Sequence, residues 1–128
     1  MAFIREDGLR RAPIQVRQSP IAGRGVFAGR TILADALIEE CPILIVTDTP
    51  VELDNYVIRW GEDDSLVCGL PLGYGALYNH SDDPNAAWET DMERALMIIW
   101  ALREISADQE ILISYGPLWF KDRPGVQR

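Results

Sequence analysis

A single, mainly β domain is what this sequence predicts, and three features predict it. Short apolar or alternating runs rich in Ile, Val and Leu recur along the chain, 10 glycines and 8 prolines punctuate them, and one stretch alone carries helical spacing. With 128 residues, 48% hydrophobic and 25% charged, the chain can bury one core and has no length for a second. No repeat, low-complexity tract or Gly/Ser linker divides it. Residues 1–12 are read as an N-terminal extension free to fray, 13–120 as the domain and 121–128 as a tail.

The elements follow in order. Ile14-Gln15-Val16-Arg17-Gln18 alternates in period two, the mark of a half-buried strand, and runs into a turn at Ser19-Pro20-Ile21-Ala22-Gly23. Val26 to Ala28 and Ala36 to Val46 read as strands, the second interrupted by Pro42, which predicts an edge position or a bend. Pro50 to Trp60 reads as a short helix: proline suits the first turn, Glu52 and Asp54 its positive end, and Leu53, Val57 and Trp60 fall at helical spacing. Gly61 to Asp64 is a turn. Leu66–Cys68 and Leu70–Leu72 are broken by glycine and proline and read as irregular core segments. The apolar run Ala95 to Leu102 is assigned as strand through Ile98-Ile99-Trp100, and Ile111 to Tyr115 as another, ended by Gly116-Pro117.

Charge and composition exclude several classes. No run approaches the ~20 apolar residues of a membrane span, and the first residues lack a cationic-then-apolar signal pattern, so a soluble cytoplasmic protein is expected, with no membrane partner. The net charge of −8 argues against nucleic acid as a partner. Residues 31–93 hold fourteen acids and one base, Arg59, for a net of −13, while the rest of the chain is +5. Such a surplus reads either as a solvated face or as an electronegative cleft that steers a cationic substrate, such as a Lys/Arg-rich peptide. Cys41 and Cys68 make no disulfide framework, and with His80 they match no zinc spacing, so no metal is expected.

Three segments carry candidate chemistry. Gly23-Arg24-Gly25 reads by itself as a tight turn or a ligand cradle; the dinucleotide reading, and with it an oxidoreductase, fails for want of a helix and a βαβ unit. Tyr74 to Asn85 sets a polar cluster, Asn79-His80-Ser81 with Pro84-Asn85, beside an apolar one; it either stitches a loop or lines a site. Glu110 to Gly116 places Tyr115 at a strand end beside glycine.

Together these segments resemble the SET-domain protein lysine methyltransferases. Ser19 through Ala28 is similar to the family's serine-then-Gly-x-Gly opening, Asn79-His80-Ser81 with Pro84-Asn85 to its Asn-His-Ser-x-x-Pro-Asn signature, and Glu110 through Gly116 to its closing acid-strand-Tyr-Gly segment. The order agrees and the resemblance covers about residues 13–120; the compact form looks most like minimal stand-alone members from viruses and bacteria. It implies a β-clip fold of several small sheets with one or two short helices and a C-terminal pseudoknot, in which the Tyr115 strand passes beneath a loop. It implies S-adenosylmethionine as methyl donor, contacted by Gly23, Arg24, Gly25, Asn79 and His80, with Trp119 or Phe120 closing over the adenine or the channel. Tyr115 becomes the catalytic tyrosine, and Tyr56 and Trp88 share the substrate channel with it, although core packing is an equal reading for those two. Trp88 departs from the tyrosine common there, which prompts the alternative of a catalytically silent peptide- or cofactor-binding module. The implied partner is a basic segment, such as a histone-like or ribosomal tail, and a homodimer is left open.

Overall fold

The computed structural model describes residues 9–61, 67–121 and 123. Among the described residues, nine strands form two sheets. In the first, β1 (Ile14–Gln18), β2 (Arg24–Ala28), β9 (Glu110–Ile113) and β6 (Asn79–His80) lie in the order β1-β2-β9-β6. In the second, β4 (Ile58–Arg59), β5 (Val67–Pro71), β3 (Leu37–Thr47), β8 (Leu96–Ala101) and β7 (Ala86–Asp91) lie in the order β4-β5-β3-β8-β7. Single 3₁₀ turns span Val51–Leu53 and Gly75–Leu77, and α1 (Pro117–Lys121) is short. None of the described helices is long and apolar enough to cross a membrane.

The core lies between the sheets, where Val26, Ala28, Ile38, Cys41, Ile99, Ala101, Ile105 and Ile111 are fully buried. Strand β9 alternates buried and half-buried residues, as period two gives, whereas β2 is buried from Gly25 to Ala28 and β3 from Ile38 to Cys41. The hairpin β1-β2 closes through Ser19 N–H donating to the Gly23 carbonyl at 2.8 Å, which is the turn read from Ser19-Pro20.

Three expectations are corrected. Pro50 to Trp60 is no helix: after one 3₁₀ turn, with no residue of it buried and no side-chain cap, Ile58 and Arg59 pair with Gly69 and Cys68. Sheet pairing overrides the helical spacing of Leu53, Val57 and Trp60. Val67–Pro71 is a regular strand, since its glycine and proline interrupt neither ladder, with β3 on one side and β4 on the other. Of the edge or bend expected at Pro42, the edge is excluded, since its strand is central; residues 37–42 pair with β8 and 43–47 with β5, and a missing N–H is tolerated where the ladder changes partner. Strand β7 gave no signal, because Glu89 and Asp91 interrupt its apolar pattern, as suits an edge. The expected turn at 61–64 falls mostly outside the described residues.

Two acids sit in the middle of β3. Glu39 and Glu40 are 1% and 4% exposed, and the residues before β1 satisfy them. Of the expected extension, residues 1–8 lie outside the described residues, whereas Ala12 N–H donates to the Ile38 carbonyl and Glu40 N–H to the Arg10 carbonyl. Arg10 donates to Glu40 through its backbone at 3.0 Å and its Nε at 3.1 Å, and Arg94 lies 3.6 Å from the other oxygen. Burial pushes the Glu40 carboxyl up, but the Arg10 bonds and charge, helped by Arg94, outweigh it and hold the group below the usual carboxylate range.

A depressed folded pKa stabilises above the unfolded value of ~4.3, and that contribution is lost as pH falls through the folded value. Arg10→Ala is therefore expected to lower the urea midpoint at neutral pH and to converge on the parent chain as acid protonates Glu40 in the folded state. Equal midpoints at neutral pH would show that the pair contributes nothing.

Candidate functional site

Strand β9 is the axis of the site. On one side it runs antiparallel to β2, with Val26 opposite Ile111 and Phe27 opposite Glu110. On the other it runs parallel to β6, with Asn79 opposite Leu112 and His80 opposite Ile113. Asn85, 2% exposed, pins the same strand: its side chain accepts from Leu112 N–H at 2.8 Å and donates to the Glu110 carbonyl at 2.9 Å. Ser81 N–H reaches the Ile113 carbonyl and Leu102 N–H the Asn85 carbonyl, each at 2.9 Å. The 79–85 segment is thereby stitched along β9, which puts the Asn-His-Ser-x-x-Pro-Asn run beside the strand that leads to Tyr115.

Tyr115 stands just past the end of β9. Its hydroxyl donates to the Tyr78 carbonyl at 2.6 Å, and its N–H donates to His80 Nδ1 at 3.0 Å. That bond makes Nδ1 an acceptor, so in the neutral ring the proton sits on Nε2 and faces Asp82 at 2.8 Å. Burial, then the Glu110 charge, pushes the Tyr115 phenol up to about 12. The ring packs 4.7 Å from Trp119 and 5.2 Å from His80, and Phe120 lies edge-on to His80 at 4.7 Å.

A narrow cavity of about 30 Å³ lies against Tyr56, Tyr78, Trp88, Tyr115 and Trp119. A wider cleft of about 360 Å³ shares Val57, Ile58, Trp88, Tyr115 and Trp119 with it and adds Asp54, Arg59, Cys68 and Arg123. Trp88 Nε1 donates to the Ser114 carbonyl at 2.7 Å, which fixes the indole as a wall. Arg123 lies 4.2 Å over the Trp119 ring and donates to the Asp54 carbonyl, closing one side of the cleft.

A second cluster forms where β2 meets β9 and β6. Asn79 Nδ2 donates to the Ala22 and Arg24 carbonyls at 3.0 and 3.2 Å and to Glu110 Oε2 at 2.9 Å. Ser19 Oγ donates to both Glu110 oxygens, at 2.8 and 2.9 Å. Gly25 is required here, because a Cβ would stand 2.2 Å from Glu110 Oε2 and 2.9 Å from Asn79 Nδ2. Around Gly23, by contrast, nothing lies within 4 Å of the absent side chain.

Residues 23–116 match the SET domain. The chain belongs to the SET-domain family. It is 37% identical over 120 residues to a Schizosaccharomyces pombe protein named as a histone-lysine N-methyltransferase specific for H3 lysine-37, covering 88% of this chain and 80% of that protein. It superposes with a TM-score of 0.71 on the crystal structure of a candidate histone methyltransferase from Plasmodium falciparum, at 37% identity over 87% of this chain and 99% of that one. The Neurospora SET-domain protein DIM-5, a histone lysine methyltransferase, shares the fold at 19% identity and a TM-score of 0.67, over 86% of this chain and 54% of that one.

In this SET domain, Tyr56, Trp88, Tyr115 and Trp119 share the narrow cavity, whereas Gly25, Arg24 and Asn79 meet around Glu110. His80 follows Asn79 in β6, and its ring touches both Tyr115 and Phe120. Tyr56 sits in a turn between the 3₁₀ element and β4 rather than on a helix. Sequence reasoning missed the separate parts that Glu110 and Tyr78 play. The signal for Glu110 was an acid in the first position of a β-rich run; for Tyr78, whose carbonyl is what counts, no side-chain signal exists. Among the described residues, no group of three or more His, Cys, Asp or Glu could hold a metal. Both cysteines are free.

The phenol of Tyr115 is expected to stay un-ionised at about pH 11, where an ordinary tyrosine with a pKa of ~10 is mostly phenolate. The ultraviolet difference titration between the parent chain and Tyr115→Phe reads this group alone; ionisation centred near 10 would contradict the burial described.

Proposed function

We propose that this chain transfers a methyl group from S-adenosylmethionine to the side-chain amine of a lysine in a basic, histone-like segment. The observation that carries the reading is the narrow cavity walled by Tyr56, Tyr78, Trp88 and Tyr115, which shares Trp88, Tyr115 and Trp119 with a wider cleft. A lysine side chain is long, thin and apolar up to its nitrogen, which is the shape such a passage accepts. The relatives named as histone methyltransferases support the substrate class.

The cofactor would supply a methyl carbon made electrophilic by an adjacent sulfonium. The residues present fit such a group: the open backbone at Gly23, the carbonyls of Ala22 and Arg24 converging on Asn79, and the His80–Phe120 ring pair offer acceptors for an amine and a surface for a base. Gly23, Arg24, Gly25, Asn79 and His80 are the residues we assign to holding it, with Phe120 on the ring side. Trp119 lines the cavity and cleft and is assigned to the channel.

Methyl transfer needs a neutral amine, yet a free lysine has a pKa of ~10.4. The aromatic walls strip water from the ammonium and so favour its deprotonated form. Tyr115 has already given its hydrogen to the Tyr78 carbonyl, so its oxygen faces the amine with acceptor capacity left and aims the nitrogen lone pair away from itself. A phenol held at about 12 remains neutral and takes no part as a base. Orientation and desolvation therefore supply the rate. The Trp88 indole, its N–H committed to Ser114, presents a ring to a methylated ammonium.

The parent chain is expected to move labelled methyl from the cofactor to lysine in a panel of histones and other basic proteins, and Tyr115→Phe to lose about 10²-fold in kcat. Cofactor binding without transfer to any lysine would leave the silent binding module. Since the acidic 31–93 region would capture the basic segment, KM for the peptide should rise between low and high salt; an unchanged KM would rule out steering.

A further inference from the structure

We infer that Glu39, clamped by Arg11, is a positioning residue for the channel wall, because its one carboxylate fastens both ends of the segment 74–78 that supplies that wall. The inference rests on the methyl-transfer reading for its consequence in rate, and on geometry alone for its structural content.

Glu39 lies in β3, away from the cavity lining, and is 1% exposed. Its Oε1 accepts from the Tyr78 hydroxyl at 2.8 Å. Its Oε2 accepts from the Tyr74 N–H at 3.0 Å and from Arg11 Nε and NH2 at 3.2 and 3.0 Å. Arg11 also lies 4.1 Å over the Tyr74 ring, so the same cation holds the carboxylate and the start of the segment. Between these two anchors runs the 3₁₀ turn Gly75–Leu77, and Gly75, Ala76 and Tyr78 all line the narrow cavity.

Tyr78 is therefore held at two points. Its side chain is fixed in the core by Glu39, and its carbonyl oxygen receives the Tyr115 hydroxyl at 2.6 Å. Displacing the ring would move the carbonyl that accepts the Tyr115 hydroxyl. Burial, followed by the Glu39 charge, keeps the Tyr78 phenol well above its ordinary range, so it persists as a donor. A buried carboxylate with four donors is an expensive way to fill a core position, and an apolar residue would pack there at no electrostatic cost. The arrangement makes sense where a fixed wall is needed, since charge-assisted bonds give geometric definition that dispersion contacts do not.

Tyr78→Phe keeps the ring and removes the bond to Glu39 Oε1, while Arg11 and Tyr74 still hold Oε2. The expected result is a roughly 10-fold fall in kcat with KM for peptide and Kd for cofactor within about 2-fold, since the ring that lines the cavity is kept and only the bond that fixes it is lost. Glu39→Gln, which can still bond Tyr78 and accept from Arg11, should restore most of the rate relative to Glu39→Ala. The second readout needs no turnover: with tyrosines labelled at the ring carbon bearing oxygen, NMR titration of Tyr115 should move from about 12 in the parent chain towards ~10 in Tyr78→Phe as water enters. An unchanged kcat, or an unchanged Tyr115 titration, overturns the positioning role. If the parent chain transfers no methyl group, the methyl-transfer reading fails by itself, and the titration still decides whether Glu39 holds the wall.

Discussion

The parallel contact between Asn79–His80 and Leu112–Ile113 is the constraint on which the rest depends. Two residues of strand on each side would not hold together in isolation. They hold because Asn85 adds two side-chain bonds to β9, Ser81 adds a backbone bond, and β2 covers the opposite edge. Segments some thirty residues apart are joined in this way, at an entropic cost that only a nearly complete fold can offset. The result is that one strand end delivers Tyr115 to the cavity while the strand start delivers Glu110 to Asn79 and Gly25.

The two carboxylates that organise the site do so by the same means. Glu110 gathers Ser19 and Asn79 under the β2 backbone; Glu39 gathers Arg11, Tyr74 and Tyr78 under the cavity wall. This changes the meaning of the acidic 31–93 region. Glu39 and Glu40 lie buried against Arg10, Arg11 and Arg94, so they contribute little to the field outside. Any steering of a basic segment falls to the exposed acids, such as Asp54 in the wall of the cleft.

Much of this was legible in the residues. The turn at Ser19, the strand at Leu96–Ala101 and the meeting of the Asn79 and Tyr115 segments follow from turn chemistry, β-branched density and family motifs respectively. Val67–Pro71 was not legible, because glycine and proline usually mark loops and only a two-sided ladder overrules them. The Pro50–Trp60 segment misled because Leu53, Val57 and Trp60 have the spacing of a helix, and nothing local reveals that Ile58 has a strand to join. Least legible was the part played by Tyr78, whose contribution is a backbone oxygen placed by a phenol on the other side of the residue.

A crystal structure of the chain with S-adenosylhomocysteine and a lysine-bearing histone peptide tests the central claim most directly. The lysine nitrogen should end within hydrogen-bonding distance of the Tyr115 hydroxyl, having entered from the cleft beside Trp88, with the sulfur arriving from the Gly23–Asn79 side. A lysine bound on the outer surface, or a cofactor lodged away from Gly23 and Asn79, would contradict it.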